Sequence, residues 1–326
     1  MPADIRHART PWSAAVDPLS LPHADAQRLL STGAPVFLPV NPIEYHGPHL
    51  SLHNDALVTR GLVGLLHAAW SGDNDVPMLV TADLEVGVEP VRGPGTQDRP
   101  FAEVRDRVEA ACTALADLGA QRVVVVTFHG APMHSHALHA GVERLVERDI
   151  PAFAPMACML REQIAFSDND FDEIYALIED ADDRAALHAG MSHDFHGGFL
   201  ETSLALALAP DGVSDVRHEV PDCPSFPPDA ATLALARQAE SRGRAELAQE
   251  LKLAAWGKGW MAMDGFLGYS SKPRLASAEA GWMFANLLLP AIVEQGREVL
   301  WGGAAAPTPP MSWLRKLSLG GRLRLG

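Results

Sequence analysis

Cysteine, tyrosine and positive charge are all scarce in this chain. Its three cysteines, Cys112, Cys158 and Cys223, are widely spaced and form no CxxC pair. That excludes a disulfide framework and a thiolate zinc ribbon, and reads as reduced thiols in a cytoplasmic protein. Lys and Arg number 26 against 41 Asp and Glu, a net charge of −15. Such a surface repels phosphate, which argues against a nucleic-acid partner and against adsorption to anionic lipid. No apolar run reaches the roughly 18 residues of a membrane span, "FANLLLPAIV" being too short. The opening "MPADIRHARTPWSAAVDPLS" has no uninterrupted apolar centre of the kind a signal peptide needs. Neither GxGxxG after a strand nor the GxxxxGK phosphate loop occurs, which disfavours a nucleotide-cofactor enzyme.

What is present is enough apolar residue, 47% of 326, for a large core. "APVFLPV" (34–40) and "RVVVVTF" (122–128) are nearly continuous apolar runs, the pattern of strands buried on both faces of a parallel sheet. "VPMLVTADLEVG" (76–87) reads as a third strand with its exit. Between it and "RVVVVTF", Phe101, Val104, Val108, Cys112, Leu115 and Leu118 recur at helical spacing, with Pro100 before and Gly119 after. This strand–helix–strand unit predicts an α/β layered fold. Further helices are expected at 134–147, 228–253 and 277–294. The acidic stretch 161–190 reads as a solvated amphipathic insertion, with an acidic lid over a pocket as the sharper alternative. Residues 1–300 are expected to form one domain, and 301–326, with Trp313, Arg315, Lys316, Arg322 and Arg324 among leucines, a flexible basic tail.

Three segments bring His and carboxylate to element boundaries. Glu44, His46, His49, His53 and Asp55 follow the first strand; His129, His134, His136 and His139 follow "RVVVVTF"; His193, Asp194, His196 and Glu201 precede another apolar run. In open α/β sheets, ligands bind beyond the carboxyl ends of strands. Imidazole with carboxylate suits Zn, Mn or Fe. Glu44 and His46, two apart, point the same way in an extended segment. Asp55 returns to them if Gly47 and Pro48 turn the chain, and an aspartate can bridge two cations. A surface or core role is the simpler reading of His7, His23, His67, His188 and His218. Of His134, His136 and His139, whose spacings mostly diverge around a helix, His134 is the favoured one to touch the site. His49 and His53 can line the loop instead of binding metal.

These residues resemble a known signature. "NPIEYHGPHLSLHND" is similar to the Glu-x-His-Gly-Pro-His-Leu-Pro-Leu…Asp motif of the creatininase (creatinine amidohydrolase) family, with Ser51 where proline is usual. "TFHGAPMH" resembles its histidine segment, "HDFHGGFLETS" its Asp-x-His…Glu-Thr-Ser segment, and "GFLGYSSKPRLASAEAG" its late glycine segment ending at Glu279 and Gly281. "GPGT" (93–96) echoes a Pro-Gly-Thr loop. The likeness runs from about residue 30 to 295.

The resemblance implies a three-layer αβα sandwich with a mostly parallel central sheet. It also implies a binuclear centre of two divalent metal ions (Zn, Mn or Fe) and hydrolysis of an amide-type C–N bond, acting on a small-molecule or short-peptide substrate. A homo-oligomer, a hexamer in relatives, is implied as well. Members include creatininase itself, formamidopyrimidine-type deformylases and a peptidase that trims a redox-peptide precursor. Carried over, Glu44, His46, Asp55, His129 and Glu201 are the metal ligands: Glu44 and His129 on one ion, His46 and Glu201 on the other, Asp55 between. His196 is the candidate proton shuttle, with Asp194 orienting it. The chain departs from the pattern at Ala131, where creatininase has a glutamate ligand. It also lacks the asparagine of the histidine segment and the histidine before Pro-Gly-Thr. These departures weigh against creatinine as substrate. A two-metal esterase, lactonase or phosphoesterase, and a metal-binding member without turnover, are the alternative readings.

Overall fold

The computed structural model describes residues 9–321 apart from Asp73 and Ser167. The first residues, with His7, and Arg322 and Arg324 of the expected tail lie outside the described residues. Six strands, β1 (Ala15–Val16), β2 (Val36–Asn41), β3 (Met78–Val80), β4 (Leu84–Glu85), β5 (Val123–Val126) and β6 (Ala152–Phe153), make one sheet. Its order is β1-β3-β2-β5-β6, with β4 also beside β2, and every pairing between them is parallel. The three apolar runs form the middle of it, in the register Val36–Val123 to Pro39–Val126.

Pro39 is unusual in a central strand, because it has no N–H for the ladder. The Phe37 carbonyl accepts from Thr81 at 3.0 Å, so residues of that parity face the β3 side. Pro39 therefore looks into the gap where β3 has ended and β4, paired from Val40, has not begun.

Alternation along the strands divides the core in two. Val36, Leu38, Val40, Leu79, Val123 and Val125 pack under α1 (His23–Leu30), then, past α2 (Asn54–Ser71), under α3 (Phe101–Leu118) and α4 (Pro132–Val146). Phe37, Met78, Val80, Val124 and Val126 point the other way. They meet α2, α5 (Pro155–Ala165), α6 (Asp172–Tyr175), α7 (Ala181–Gly190) and α8 (Phe199–Leu208), and, past α9 (Ala230–Ser241) and α10 (Ala245–Met261), α11 (Ala278–Leu300). Helix, sheet and helix are the three layers, with roughly 1.5–3 kcal/mol gained for each large aliphatic side chain buried. No helix among the described residues is long and apolar enough to cross a membrane.

The helix expected at 228–253 is two helices, α9 and α10. Gly243, at φ 70°, adopts the left-handed conformation that ends the first. In the acidic stretch, Asp172, Glu173, Glu179, Asp180 and Asp182 are exposed while Phe171, Ile174, Tyr175 and Ile178 are buried. Beyond residue 300 the chain packs on the domain as far as residue 321, and carries α12 (Ser312–Leu317). There the Met311 N–H and Trp313 Nε1 donate to the two oxygens of Glu250 on α10, at 2.7 and 2.9 Å.

Candidate metal centre

The chain leaves β2 for β3 on one side and later returns through α3 to β5 on the other. The crevice between the carboxyl ends of β2 and β5 is thus the switch point where open α/β sheets bind ligands. Past β2, Glu44 and His46 stand on an extended stretch, and Gly47 turns it at φ 80°. A β-carbon on Gly47 would lie 2.5 Å from the Tyr269 ring, so the turn requires glycine. The Glu44 N–H donates to the Leu52 carbonyl at 2.9 Å, closing the loop and bringing Asp55 in the first turn of α2 back beside Glu44. His129 lies just past β5; His196 precedes α8, and Glu201 is in its first turn.

These side chains converge and are buried. His129 Nδ1 is 2.8 Å from Glu44 Oε2 and 3.8 Å from Asp55 Oδ2. His46 Nε2 is 3.4 Å from Asp55 Oδ1 and 3.2 Å from Glu201 Oε1. Asp55 turns one oxygen to each group. His196 Nδ1 stands 3.9 Å from Glu44 Oε1 and 4.0 Å from Glu201 Oε2, and its ring stacks on that of His46 with centroids 4.2 Å apart. Glu44–Asp55–His129, His46–Asp55–Glu201 and Glu44–His46–His196 each offer three ligand atoms within 4.8 Å of one another.

The donor set fits a divalent cation. In each imidazole one nitrogen is committed to a backbone carbonyl: His46 Nδ1 to Glu44 at 3.1 Å, His129 Nε2 to Val88 at 3.0 Å, His196 Nε2 to Tyr45 at 2.9 Å. A carbonyl only accepts, so that nitrogen keeps its proton and the other, facing the cluster, is the one able to ligate a cation once deprotonated. Glu44 Oε2, His46 Nε2 and Asp55 Oδ2 are buried without a hydrogen-bond partner. Leaving such atoms unmatched is costly unless something else binds them.

The electrostatics follow from the crowding. Burial would raise Glu44 and Glu201, but the facing histidines outweigh it, holding Glu44 well below the usual carboxylate range and Glu201 at about 2. Asp55 is pushed up to about 7 by burial, with Glu44 beside it adding to the rise against the pull of His46 and His129. Against burial, Glu44 raises His129 to about 9, and Glu201 and Asp55 lift His46 well above its ordinary value. For His196 burial and His46 win, and it is lowered.

The five residues expected to bind metal are therefore together, with His196 beside them. Asp194 is buried nearby, but its Oδ2 accepts from the Leu200 N–H at 3.0 Å, at the start of α8, and both ring nitrogens of His196 face other groups. The expected orienting contact from Asp194 to His196 is thus replaced by Tyr45. His134 does not reach the cluster with a ring nitrogen: Nε2 donates to the Val40 carbonyl at 3.2 Å, and the ring packs edge-on to His129. His49 braces the loop through Gly197 and Thr202, each at 3.0 Å. Sequence reasoning missed three supports. Asn54 Nδ2 donates to Glu201 Oε1 at 2.9 Å, the Val91 N–H to Glu44 Oε1 at 2.5 Å, and Asn41 Oδ1 collects Thr59, Thr127 and the Phe128 N–H where β2 and β5 end. Asn41 and Asn54 stand in the quoted motif, an available signal; Val91 acts through its backbone and leaves none.

Over most of its length the chain matches known proteins. The sequence model of the creatininase family, creatinine amidohydrolase, matches residues 20–295. No curated protein matches. Among solved structures, a mutant creatininase of Zn-Zn type is 21% identical at TM-score 0.54, covering 87% of this chain and 97% of its own. A creatininase described as Mn has the same identity and TM-score 0.53, with 87% and 98% covered. A putative creatinine amidohydrolase from Bacteroides fragilis is 17% identical at TM-score 0.54, with 82% and 89% covered. At these identities the structures speak for the fold, and the family follows from the sequence match: the chain belongs to the creatininase family.

Proposed function

We propose that this protein is a metal-dependent amidohydrolase that cleaves an amide-type C–N bond at the Glu44–His46–Asp55–His129–Glu201 cluster. The observation that carries the reading is Asp55, which divides its two oxygens between a Glu44–His129 group and a His46–Glu201 group. That arrangement suits two divalent ions, Zn, Mn or Fe, with Glu44 and His129 holding one, His46 and Glu201 the other, and Asp55 shared. Names of similar structures, a Zn-Zn type and an Mn creatininase, agree with this ligand chemistry. Bound there, such ions lower the pKa of water and polarise a carbonyl oxygen.

The chain's own residues do the rest. Burial of the cluster excludes bulk water, which strengthens every charge interaction inside it. The backbone carbonyls of Glu44, Val88 and Tyr45 hold a proton on the outer nitrogen of each imidazole, so the inward nitrogen is the one that ligates, and His46 and His129 release its proton as a cation binds. His196 lines the cavity with Nδ1 inward. As water adds to the amide carbonyl, Nδ1 takes the proton it releases and hands it to the nitrogen as the C–N bond breaks, since an amine leaves far more readily than its anion. Glu201, braced by Asn54 and by the Gly197 N–H at 2.6 Å, keeps its place at the floor.

The test is metal content by mass spectrometry on the purified protein and on Glu44→Gln and Asp55→Asn, beside turnover on a panel of amides, lactones and phosphoesters. Up to two equivalents of Zn, Mn or Fe are expected, lost or halved in each variant, with amides as the class hydrolysed. Undiminished metal in both variants would overturn the assignment.

A further inference from the structure

We infer that the amide taken by this site carries a large apolar group next to the scissile bond. The inference rests on the amidohydrolase reading and names its substrate class. The cluster opens into a cavity of about 410 Å³, whose lining includes His46, Asp55, His129, His196 and Glu201. That volume falls within the range of sites that enclose whole small ligands. At about 30 Å³ for a water-sized group, it holds roughly a dozen non-hydrogen atoms. Only the few atoms of the amide need to stand at the cluster.

The remaining wall is mostly apolar, with Gln163, Ser192 and Gln249 as its neutral polar side chains. Met156 and Met159 of α5, Phe171, Met191, and Leu253 and Trp256 of α10 are typical of it. Away from the cluster and Asp194, Lys252 is the one formally charged side chain among the described lining residues; it stands 3.3 Å from Glu240 and is part-exposed. A polar substrate filling this space would lose water and find few partners, a cost for each group left unmatched. An alkyl or aryl group gains instead by leaving water. The methionines are unbranched and adaptable, so chain length matters more than exact shape. A small polar cyclic amide would leave most of the cavity unused.

Two homologous series test this on the metal-loaded protein: primary amides from acetamide to octanamide, and N-alkylformamides from methyl to octyl. They place the apolar group on the acyl side or the amine side. In at least one series kcat/KM rises about fourfold per methylene until the cavity is filled, and creatinine is among the poorest substrates. If amides are hydrolysed but both series are flat or falling, the inference is overturned and the amidohydrolase reading stands. A readout independent of chemistry is calorimetric binding to the metal-free protein. Octanamide binds at least a hundredfold more tightly than acetamide, and Leu253→Asp, checked for folding by circular dichroism, weakens it at least tenfold. Leu233→Asp on α9 serves if that variant does not fold. Chain-length-dependent binding without hydrolysis of any amide would sink the amidohydrolase reading while keeping the apolar cavity; equal affinities would sink the inference itself.

Discussion

Asn54 Nδ2 donates to Glu201 Oε1 at 2.9 Å, joining the first residue of α2 to the carboxylate on α8. The neighbour of Asn54 in sequence is Asp55, so one helix start supplies a ligand candidate and restrains another. Asn54→Ala removes the donor and leaves Glu201 Oε1 free to turn. Outer partners of this kind are typically worth about 10–100-fold in metal affinity. Chelator competition on Asn54→Ala is expected to show a loss of that size, with Asn54→Asp worse because it puts a second carboxylate against Glu201. Wild-type affinity in Asn54→Ala would show the bond to be incidental.

His196 separates proton transfer from metal holding. Nδ1 faces two carboxylates at 3.9 and 4.0 Å, farther than His129 from Glu44 or His46 from Glu201. His196→Ala should lower kcat by about 10²–10⁴-fold, the usual contribution of a positioned acid–base group, while bound metal stays at the wild-type level. If metal falls together with kcat, His196 is a ligand through the Glu44–His46–His196 group.

Gly281 on α11 meets α8 backbone to backbone. A β-carbon there would lie 1.9 Å from the Ser203 carbonyl oxygen and 2.8 Å from Ala207 Cβ. Main chain cannot rotate away, so Gly281→Ala must part the two helices. A cost of about 1–3 kcal/mol or more is expected from such overpacking, read as a lower Tm. Because α8 carries Glu201, metal affinity should fall with it. An unchanged Tm would mean the helices slide apart freely.

The sheet and the cluster were legible in the sequence for different reasons. "RVVVVTF" and "APVFLPV" are apolar on both faces because both faces are covered, so their pattern has one reading. Glu44, His46 and Asp55 share one short segment, and the resemblance supplied His129 and Glu201 from other segments, whose approach no local pattern encodes. The sequence pattern reads as one helix over 228–253 because helical periodicity runs across Gly243, the glycine whose φ of 70° ends the first of two helices. The expected pairing of Asp194 with His196 has no counterpart in the local pattern of the segment that carries both. In the fold, α8 starts just after both, and the Leu200 N–H in its first turn claims the carboxylate, as free N–H groups at a helix start do. The anchoring of the chain beyond residue 300 depends on Glu250, which lies 61 residues before Met311 and 63 before Trp313, and composition alone does not reveal it.

A cluster of four charges bears on how the cavity wall is held. Arg274 reaches Asp183 at 2.6 and 2.8 Å and Asp222 at 2.8 Å, and Lys272 reaches the same two at 3.0 and 2.8 Å. Asp183 is on α7, which leads directly to Met191 and Ser192 in the cavity wall. Its hydrogen bonds from Arg274 hold Asp183 down at about 2, below the roughly 3.9 of an unfolded aspartate. The folded state therefore binds fewer protons than the unfolded one. The stabilisation is fully present above about pH 4 and is lost as pH falls toward 2. Asp183→Asn removes that term, so its Tm should lie below wild type at pH 7, and the gap should narrow as the pH falls below 4. Salt should shrink the gap only slightly, since the group is part-buried. Thermal unfolding of both proteins between pH 7 and pH 3 decides it: a gap that does not change with pH would mean Asp183 acts through packing, and α7 is then held by its apolar face alone.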